Sequence, residues 1–275
     1  MYLIISKTKV TTMKKIISTI AAIMVTVAIT FGQETRYLVF EFIKVESNQT
    51  YDFMAHKEFM EKIYQGAIND KKIIGWDLWS LQSGADPSEF QYIAVTYYNN
   101  PVSMMSGLDE QDLVKYAMIA YPHMNENQVK QKLEAANNCM DLAQRSYMQQ
   151  IATSQDSFQF RRGTLASFDL MKAVEGKFQE YEKAEKEVFL PIHQSRINKG
   201  LMGHWSLLRT ALPFGSEAKS THLTMNVYKD YLQFFNAQEY EDLESTSEQR
   251  AAVEKGLKSR DQKWVYLATL ENAVR

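Results

Sequence analysis

Cysteine occurs once in the 275 residues, as Cys139, so no disulfide can form within the chain. Burial must therefore hold the fold together even in an oxidising compartment. Other signatures are missing too. The sequence has no nucleophile elbow, no phosphate-binding loop, no cysteine or histidine spacing of a metal site and no nucleic-acid-binding motif, so it names no reaction. The apolar run Ile16 to Phe31 is about 16 residues long, short of the roughly 20 that span a bilayer. Charge of neither sign dominates, with 31 bases against 33 acids. At 45% hydrophobic and 12% aromatic residues, the composition is that of an ordered globular protein of one or two domains.

What is present begins with that apolar run. Met13-Lys14-Lys15 precedes it and Gly32-Gln33-Glu34 follows it, which gives the basic, apolar and polar regions of a secretory signal peptide. The expected start is Met13, since a leader carries its basic residues directly before its apolar core, and the expected cleavage follows Thr30-Phe31-Gly32. Residues 1–32 are then an upstream extension and leader, and the mature chain is a periplasmic or secreted bacterial protein with no membrane attachment after cleavage. Cleavage removes Lys7, Lys9, Lys14 and Lys15 and no acid, leaving 27 bases against 33 acids, a charge of −6. A mildly acidic exported chain is a poor nucleic-acid binder.

Lys57 to Leu78 recurs 129 positions later as Lys186 to Leu207. Eight of the 22 aligned positions are identical without a gap, among them Lys57/Lys186, Gln65/Gln194 and Trp76/Trp205, which argues for duplication of a folded unit. Around the first copy, Tyr37 to Val45 alternates as a strand, and Phe53, Met60, Ile63 and Ala67 mark one face of a helix over Thr50 to Asn69. Strands are expected at Ile73 to Leu81 and Phe90 to Tyr98, helices around Met104, at Gln111 to Tyr121 and from Asn125 to about Gln144, and a fourth strand at Tyr147 to Thr153. The second copy repeats the order: strand Leu165 to Lys172, helix Phe178 to Asn198, strands Leu201 to Thr210 and Thr221 to Tyr228, helices over Tyr231 to Ser259, and strand Trp264 to Leu270. Pro191 stands opposite Lys62 and predicts a kink or a late helix start, because an interior proline lacks the N–H donor and costs about 3 kcal/mol.

Strand, helix, strand, strand, helix, strand is the ferredoxin-like split unit, with sheet order 4-1-3-2. The sequence thus predicts an α+β chain of two tandem ferredoxin-like repeats, residues 33–156 and 157–275, forming a pseudo-dimeric α/β barrel. This arrangement resembles the dimeric α/β-barrel superfamily, which includes antibiotic-biosynthesis-type monooxygenases, stress-responsive barrel domains and tandem-repeat chlorite-dismutase-like haem proteins. The segment Glu187-Val188-Phe189-Leu190-Pro191-Ile192-His193-Gln194, leading to Trp205-Ser206-Leu207, also resembles a motif that recurs in exported bacterial proteins of this class. The resemblance implies two sheets around a central cavity and no particular reaction. Through its haem-binding members it implies a helix histidine as ligand, for which His193, opposite Tyr64, is the candidate. From the residues alone, His193 reads as a helix histidine hydrogen-bonded at the sheet edge.

Period-2 alternation groups Phe40, Phe42, Trp76, Leu78, Ile93, Val95 and Tyr97, with Phe168, Leu170, Trp205, Leu207, Leu223, Met225 and Val227 in the second copy, on a face expected to pack on the helices. The opposite face carries Glu41, Asp77, Trp79, Tyr92 and Thr96, then Asp169, His204, Ser206, His222, Thr224 and Asn226, which would line a polar cavity inside a closed barrel. Asp169, His204 and His222 invite a metal reading. Pairing His204 with Asn226 leaves the two histidines four residues apart, roughly 13 Å at 3.3 Å per residue. That is too far for one ion, so no metal is expected. Gln65 and Gln194 are expected to cap backbone, and His56 and His123 to lie at the surface.

The expectation is a monomeric exported protein that binds a small molecule in its barrel interior without a permanent cofactor. Two alternatives stay open: a cofactor-free or haem-dependent oxygenase-like enzyme, suggested by the resemblance and by the equivalent carboxylates Glu41 and Asp169, and a filled barrel that serves as an interaction module.

Overall fold

The computed structural model describes residues 35–86, 89–240 and 245–275, and the expected leader lies outside them. β-Branched and aromatic residues in alternation build Tyr37–Lys44 (β1), Gly75–Ser83 (β2), Tyr92–Tyr98 (β3) and Asp141–Thr153 (β4) in the first half, and Leu165–Ala173 (β5), His204–Leu212 (β6), His222–Tyr228 (β7) and Arg260–Val274 (β8) in the second. These eight strands form one closed antiparallel barrel in the order β1-β3-β2-β8-β5-β7-β6-β4. Each half contributes a run of four in the order 4-1-3-2, and the runs join where β2 meets β8 and β4 meets β6.

Closure explains why β4 and β8 are the longest strands. β4 pairs with β1 through Asp141–Gln149 and with β6 through Tyr147–Thr153, while β8 pairs with β5 and then β2. The expected strands at Tyr147 and Trp264 captured only part of each. β4 also overrides the helix expected to run to Gln144. That helix ends at Glu134, passes through a 3₁₀ turn at Ala135–Asn138, and gives way to backbone paired with Lys44 and Ile43. Sheet closure here outweighs local helical spacing.

The helices lie against the outer face of the sheet. In the first half they are Thr50–Asn69 (α1), Pro101–Ser106 (α2), Glu110–Ala120 (α3) and Glu126–Glu134 (α4). α4 starts with a reciprocal cap, in which Asn125 Oδ1 accepts from Gln128 N–H and Gln128 Oε1 accepts from Asn125 N–H. In the second half Phe178–Ala184 (α5) and Leu190–Asn198 (α6) flank a π-helical stretch, Glu185–Phe189, and Tyr231–Glu239 (α7) and Ser247–Leu257 (α8) follow. Pro191 sits in the first turn of α6, where its missing donor is tolerated, and the widened π turn just before it absorbs the mismatch. No helix among the described residues is long and apolar enough to cross a membrane.

Two kinds of core result. Inside the barrel, Phe40, Phe42, Trp79, Ile93, Val95, Phe168, Leu223, Met225 and Leu270 form one cluster drawn from both halves. Phe168 meets Phe40 at 5.9 Å and Trp79 at 5.4 Å, both edge to face. Outside it, Ile63, Ala67, Tyr98 and Tyr116 pack under α1 and α3, Trp76 and Leu78 under α1, and Leu165, Tyr181, Trp205 and Leu207 under the helices of the second half.

Candidate functional site

Residues directly opposed in an antiparallel pair present their side chains to the same face, so the pairings fix which predicted site residues share a surface. Partners on β2 and β3 include Asp77 with Val95 and Trp79 with Ile93; on β6 and β7 they include His204 with Val227 and Ser206 with Met225. Asp77, Trp79, His204 and Ser206 therefore face the barrel interior. Glu41, Tyr92, Thr96, Asp169, His222, Thr224 and Asn226 lie on the outer face, under the helices. The expected single face is thus a mixture of two. The expected apolar grouping is likewise corrected: Phe40, Ile93 and Val95 point inward, whereas Trp76, Leu78, Trp205 and Leu207 point outward. Both errors have one cause. Each hairpin is one residue out of the expected register, with His204 opposite Val227 rather than Asn226, and a one-residue slip exchanges the faces of a strand. His204 and His222 consequently lie on opposite faces of the sheet. No group of three or more metal-ligating side chains comes together among the described residues.

Two polar groupings break the apolar interior of the barrel. Asp77 accepts hydrogen bonds from both Arg275 Nη atoms, at 2.6 and 3.0 Å, and from the Tyr97 hydroxyl at 2.6 Å. His204 Nδ1 lies 2.8 Å from Asp156 Oδ2, an oxygen that also accepts from Ser154 Oγ at 2.6 Å. One mouth opens into a cavity of about 510 Å³ lined by Phe42, Phe90, Gln144, Ser146, Met148, Leu170, Thr210 and Tyr266, none of them among the predicted site residues.

The outer face gives the richer constellation. In the first half two adjoining cavities, of about 240 and 290 Å³, lie between the sheet and α1, α2 and α3, and they share Glu41, Tyr64, Leu113 and Arg145. Glu41 on β1 stands opposite Arg145 on β4, and its Oε1 accepts from Arg145 Nε at 3.0 Å and Nη2 at 2.6 Å. Glu41 Oε2 has no hydrogen-bond partner among the described residues. Tyr64 stacks on Trp76, with ring centroids 4.9 Å apart and planes at 26°. Burial first, and then the charge of Glu41, pushes the Tyr98 hydroxyl up to about 12 and the Tyr64 hydroxyl higher still. Both phenols are therefore hydrogen-bond donors at neutral pH. Tyr147, Thr96, Val39 and Met104 complete the first chamber.

Lys57 lines the second chamber with His56, Met60, Leu133 and Met140. Burial brings the Lys57 ammonium down to about 8, and burial together with Lys57 and Lys132 brings His56 down to about 4. His56 is thus half-buried in a cavity wall and not at the surface, whereas His123 is exposed as expected. Lys57, Tyr64, Tyr98, Arg145 and Tyr147 are the site residues that sequence reasoning missed. One signal was available for Lys57: it shares the helical face of Phe53 and Met60, where a lysine is out of place.

The equivalent region of the second half holds a buried polar cluster. Asn226 Nδ2 donates to Ser167 Oγ at 3.0 Å and to Asp169 Oδ2 at 3.1 Å. Around them, buried polar atoms of Asp169, Tyr181, Glu185, His193, Trp205 and Arg260 lack hydrogen-bond partners among the described residues, although Glu185 Oε1 and Arg260 Nε form an ion pair at 3.6 Å. Burial pushes the Asp169 carboxyl upward and the Glu185 carboxyl up to about 7, the latter partly opposed by Arg260. Beside this region Glu182 binds Arg209 through both carboxylate oxygens at 2.6 Å and His222 Nε2 at 3.1 Å. Gln194 bonds both the N–H and the carbonyl of Gln155, and Gln65 donates to the Arg275 carbonyl, so both glutamines tie down backbone that leaves a strand.

His193 lies flat on Trp205, with centroids 4.9 Å apart and planes at 16°, and its Nδ1 is buried without a partner. The expected sheet-edge hydrogen bond is thus not made by that atom. A histidine that ligates a metal donates its other ring N–H to an acceptor that fixes the tautomer. No acceptor serves Nδ1 among the described residues, so the hydrogen bond that orients a histidine ligating through Nε2 is missing at His193.

No protein-family model matches the chain, and no curated protein does. Solved structures match it by fold. A candidate monooxygenase from Fusobacterium nucleatum subsp. nucleatum superposes with a TM-score of 0.54 at 10% identity, over 86% of this chain and 94% of that one. An anthrone oxidase-like protein superposes with a TM-score of 0.51 at 12% identity, over 88% and 93%. A haem-binding protein from Thermus thermophilus gives a TM-score of 0.47 at 7% identity, over 87% and 92%. With its closed eight-stranded antiparallel barrel and outer helices, the chain has the α+β fold of the dimeric α/β-barrel proteins.

Proposed function

We propose that the chain is an exported, monomeric pair of fused ferredoxin-like units that binds a small phenolic or enolic ring compound in the cleft over its first half. One observation carries this reading. A carboxylate, Glu41, is held by Arg145 through one oxygen and lines a cavity with its other oxygen unpaired among the described residues, beside the hydroxyl-bearing rings of Tyr64, Tyr98 and Tyr147. Such an oxygen accepts the ligand's O–H, a tyrosine hydroxyl donates to the ligand's oxygen, and Val39, Met104 and Leu113 cover the ring. Cavities of about 240 and 290 Å³ exceed the roughly 150 Å³ that encloses benzene. Apart from the Tyr266 phenol, the larger cavity at the barrel mouth draws its ionisable groups from Glu89, Glu217 and Lys219, away from the β1–β4 pair. It offers less for orienting a ligand.

Two features support the finer claims of this reading. The composition of residues 13–32 motivates export, and the two 4-1-3-2 strand runs motivate a fused pair. Calorimetry with 4-hydroxybenzaldehyde tests the site. Glu41→Gln is expected to weaken binding by about tenfold, or ~1.4 kcal/mol, and Thr210→Val at the barrel mouth is expected to leave it unchanged. The reverse pattern moves the site to the mouth. Oxygenase-like chemistry on the same compound is the enzymatic form of the reading, and oxygen uptake on mixing separates catalysis from binding.

A further inference from the structure

We infer that Lys57 is a carbonyl-reactive lysine that forms an imine with an aldehyde or ketone held in the first-half cleft. This rests on the phenolic-ligand reading above and deepens it by adding a carbonyl to the ligand class. Lys57 is only 5% exposed, yet it lines the chamber of about 290 Å³ that adjoins Glu41, Tyr64 and Arg145. Its Nζ makes no hydrogen bond or ion pair among the described residues and stands 5.1 Å from the centroid of the Phe53 ring. That contact is a cation–π interaction, which offsets only part of the cost of burying an ammonium, and the amine relieves the rest by losing its proton. The groups around it bear this out. His56 on α1 is neutral at physiological pH, Glu41 on β1 is engaged by Arg145 on β4, Asp141 lies at the start of β4, and Cys139 lies on the turn before it. Burial outweighs the opposing influence of Glu41 and Cys139, and Lys57 titrates near 8.

The second half supplies a comparison. Lys186 stands at the matching position of the repeat, but its side chain is 42% exposed and its Nζ lies 3.9 Å from Glu182 Oε2. One lysine is aimed into a chamber and the other into solvent beside a carboxylate. At pH 7 an amine titrating near 8 is neutral roughly 10²-fold more often than an ordinary lysine.

The step is a condensation. The Nζ lone pair forms a bond to the carbonyl carbon, the oxygen takes up a proton to give a carbinolamine, and water leaves as the C=N bond forms and nitrogen loses its remaining protons. No oxidant or reductant takes part.

Residues 33–275 are incubated at pH 8 with 4-hydroxybenzaldehyde and sodium cyanoborohydride, which reduces an imine to a stable secondary amine, and the adducts are located by peptide mass spectrometry. The expected result is saturable labelling of Lys57 at more than about tenfold the rate of Lys186, a tenfold difference being what one pKa unit gives. Lys57→Arg is expected to remove it while calorimetric binding of the probe persists. Labelling that follows exposure, with Lys186 at or above Lys57 while Glu41-dependent binding remains, overturns the imine and leaves the cleft reading intact. Absence of any saturable binding or labelling overturns both.

Discussion

Replacing Asp77 by alanine is expected to cost about 2–3 kcal/mol of stability, because hydrogen bonds to a buried carboxylate are lost while its partner Arg275, 43% exposed, keeps its contact with water. Asp77 is fully buried inside the barrel, opposite Val95 on β3 and Ala273 on β8. Its carboxylate holds Arg275 through two hydrogen bonds and Tyr97 through a third. The guanidinium is also sandwiched near Tyr97 and Phe160, with ring centroids at 5.0 and 5.2 Å. Removing the carboxylate leaves the buried Tyr97 hydroxyl without its acceptor while the partly exposed Arg275 turns to water, so the loss exceeds that of a surface pair and stays below that of a fully buried one. The thermal midpoint should fall by roughly 4–12 °C for a domain of this size. Pairing the change with Arg275→Met should recover part of the loss, because the unpaired charge then disappears. A loss below about 1 kcal/mol, within the range of an exposed pair, would show that water reaches the Asp77 carboxylate itself.

The two halves place matching side chains to different ends. Tyr64 and His193 both stack on the tryptophan of the following strand, at the same 4.9 Å. Glu41 and Asp169 both lie outward on the first strand of their half. Glu41 meets an arginine and opens onto a cavity, whereas Asp169 meets an asparagine and sits below the π stretch that brings Glu185 close to Arg260. The local insertion of a wide turn ahead of Pro191 thus accompanies the change from a polar cleft to a buried polar cluster. π stretches of this kind frequently mark functional positions.

Element order was legible from periodicity, since α1, β5 and β7 fall within a residue or two of their expected limits. So was the face of β1 relative to β3, because Phe40 and Phe42 share an unbroken alternation with Ile93 and Val95. The faces of β2 and β6 were not. Trp76, Leu78 and Trp79 are all apolar, as are Trp205, Leu207 and Leu208, so both faces of these strands look like core, and only the hairpin register decides between them. A barrel with helices outside buries both faces of every strand, which removes the contrast that alternation needs. The cleft was illegible for a related reason: Arg145 falls between the helix expected to end near Gln144 and the strand expected from Tyr147, and it meets Glu41 only across a pairing of strands about 100 residues apart.

Acid should destabilise the protein from about pH 6.5 downward, before its paired carboxylates are protonated. Burial is the leading cause that lowers His56 to about 4, His193 to about 3 and His222 to about 4. A histidine whose folded pKa is lowered binds fewer protons folded than unfolded, so its contribution is complete above the unfolded value near 6.5 and is lost as pH falls toward the folded value. At about 1.4 kcal/mol per unit, each group can contribute on the order of 2–4 kcal/mol, less whatever solvent penetration relieves. Glu185 acts in the opposite sense. Its folded value, raised to about 7, makes the folded chain bind a proton first, so its contribution is complete below about 4.5 and is lost as pH rises through 7. Asp169, whose carboxyl burial also raises, acts with Glu185, so three imidazoles stand against two carboxyls and the balance is a net loss on acidification. Glu185→Gln should therefore raise stability at pH 8 by on the order of 2–3 kcal/mol and have little effect at pH 4.5. His193→Phe, which keeps the stack on Trp205, should flatten the acid limb. Urea midpoints measured from pH 4.5 to pH 8 decide the matter. A flat profile in the parent protein, or a Glu185→Gln effect that is the same at both ends, would mean that these groups are hydrated rather than buried when the chain is folded.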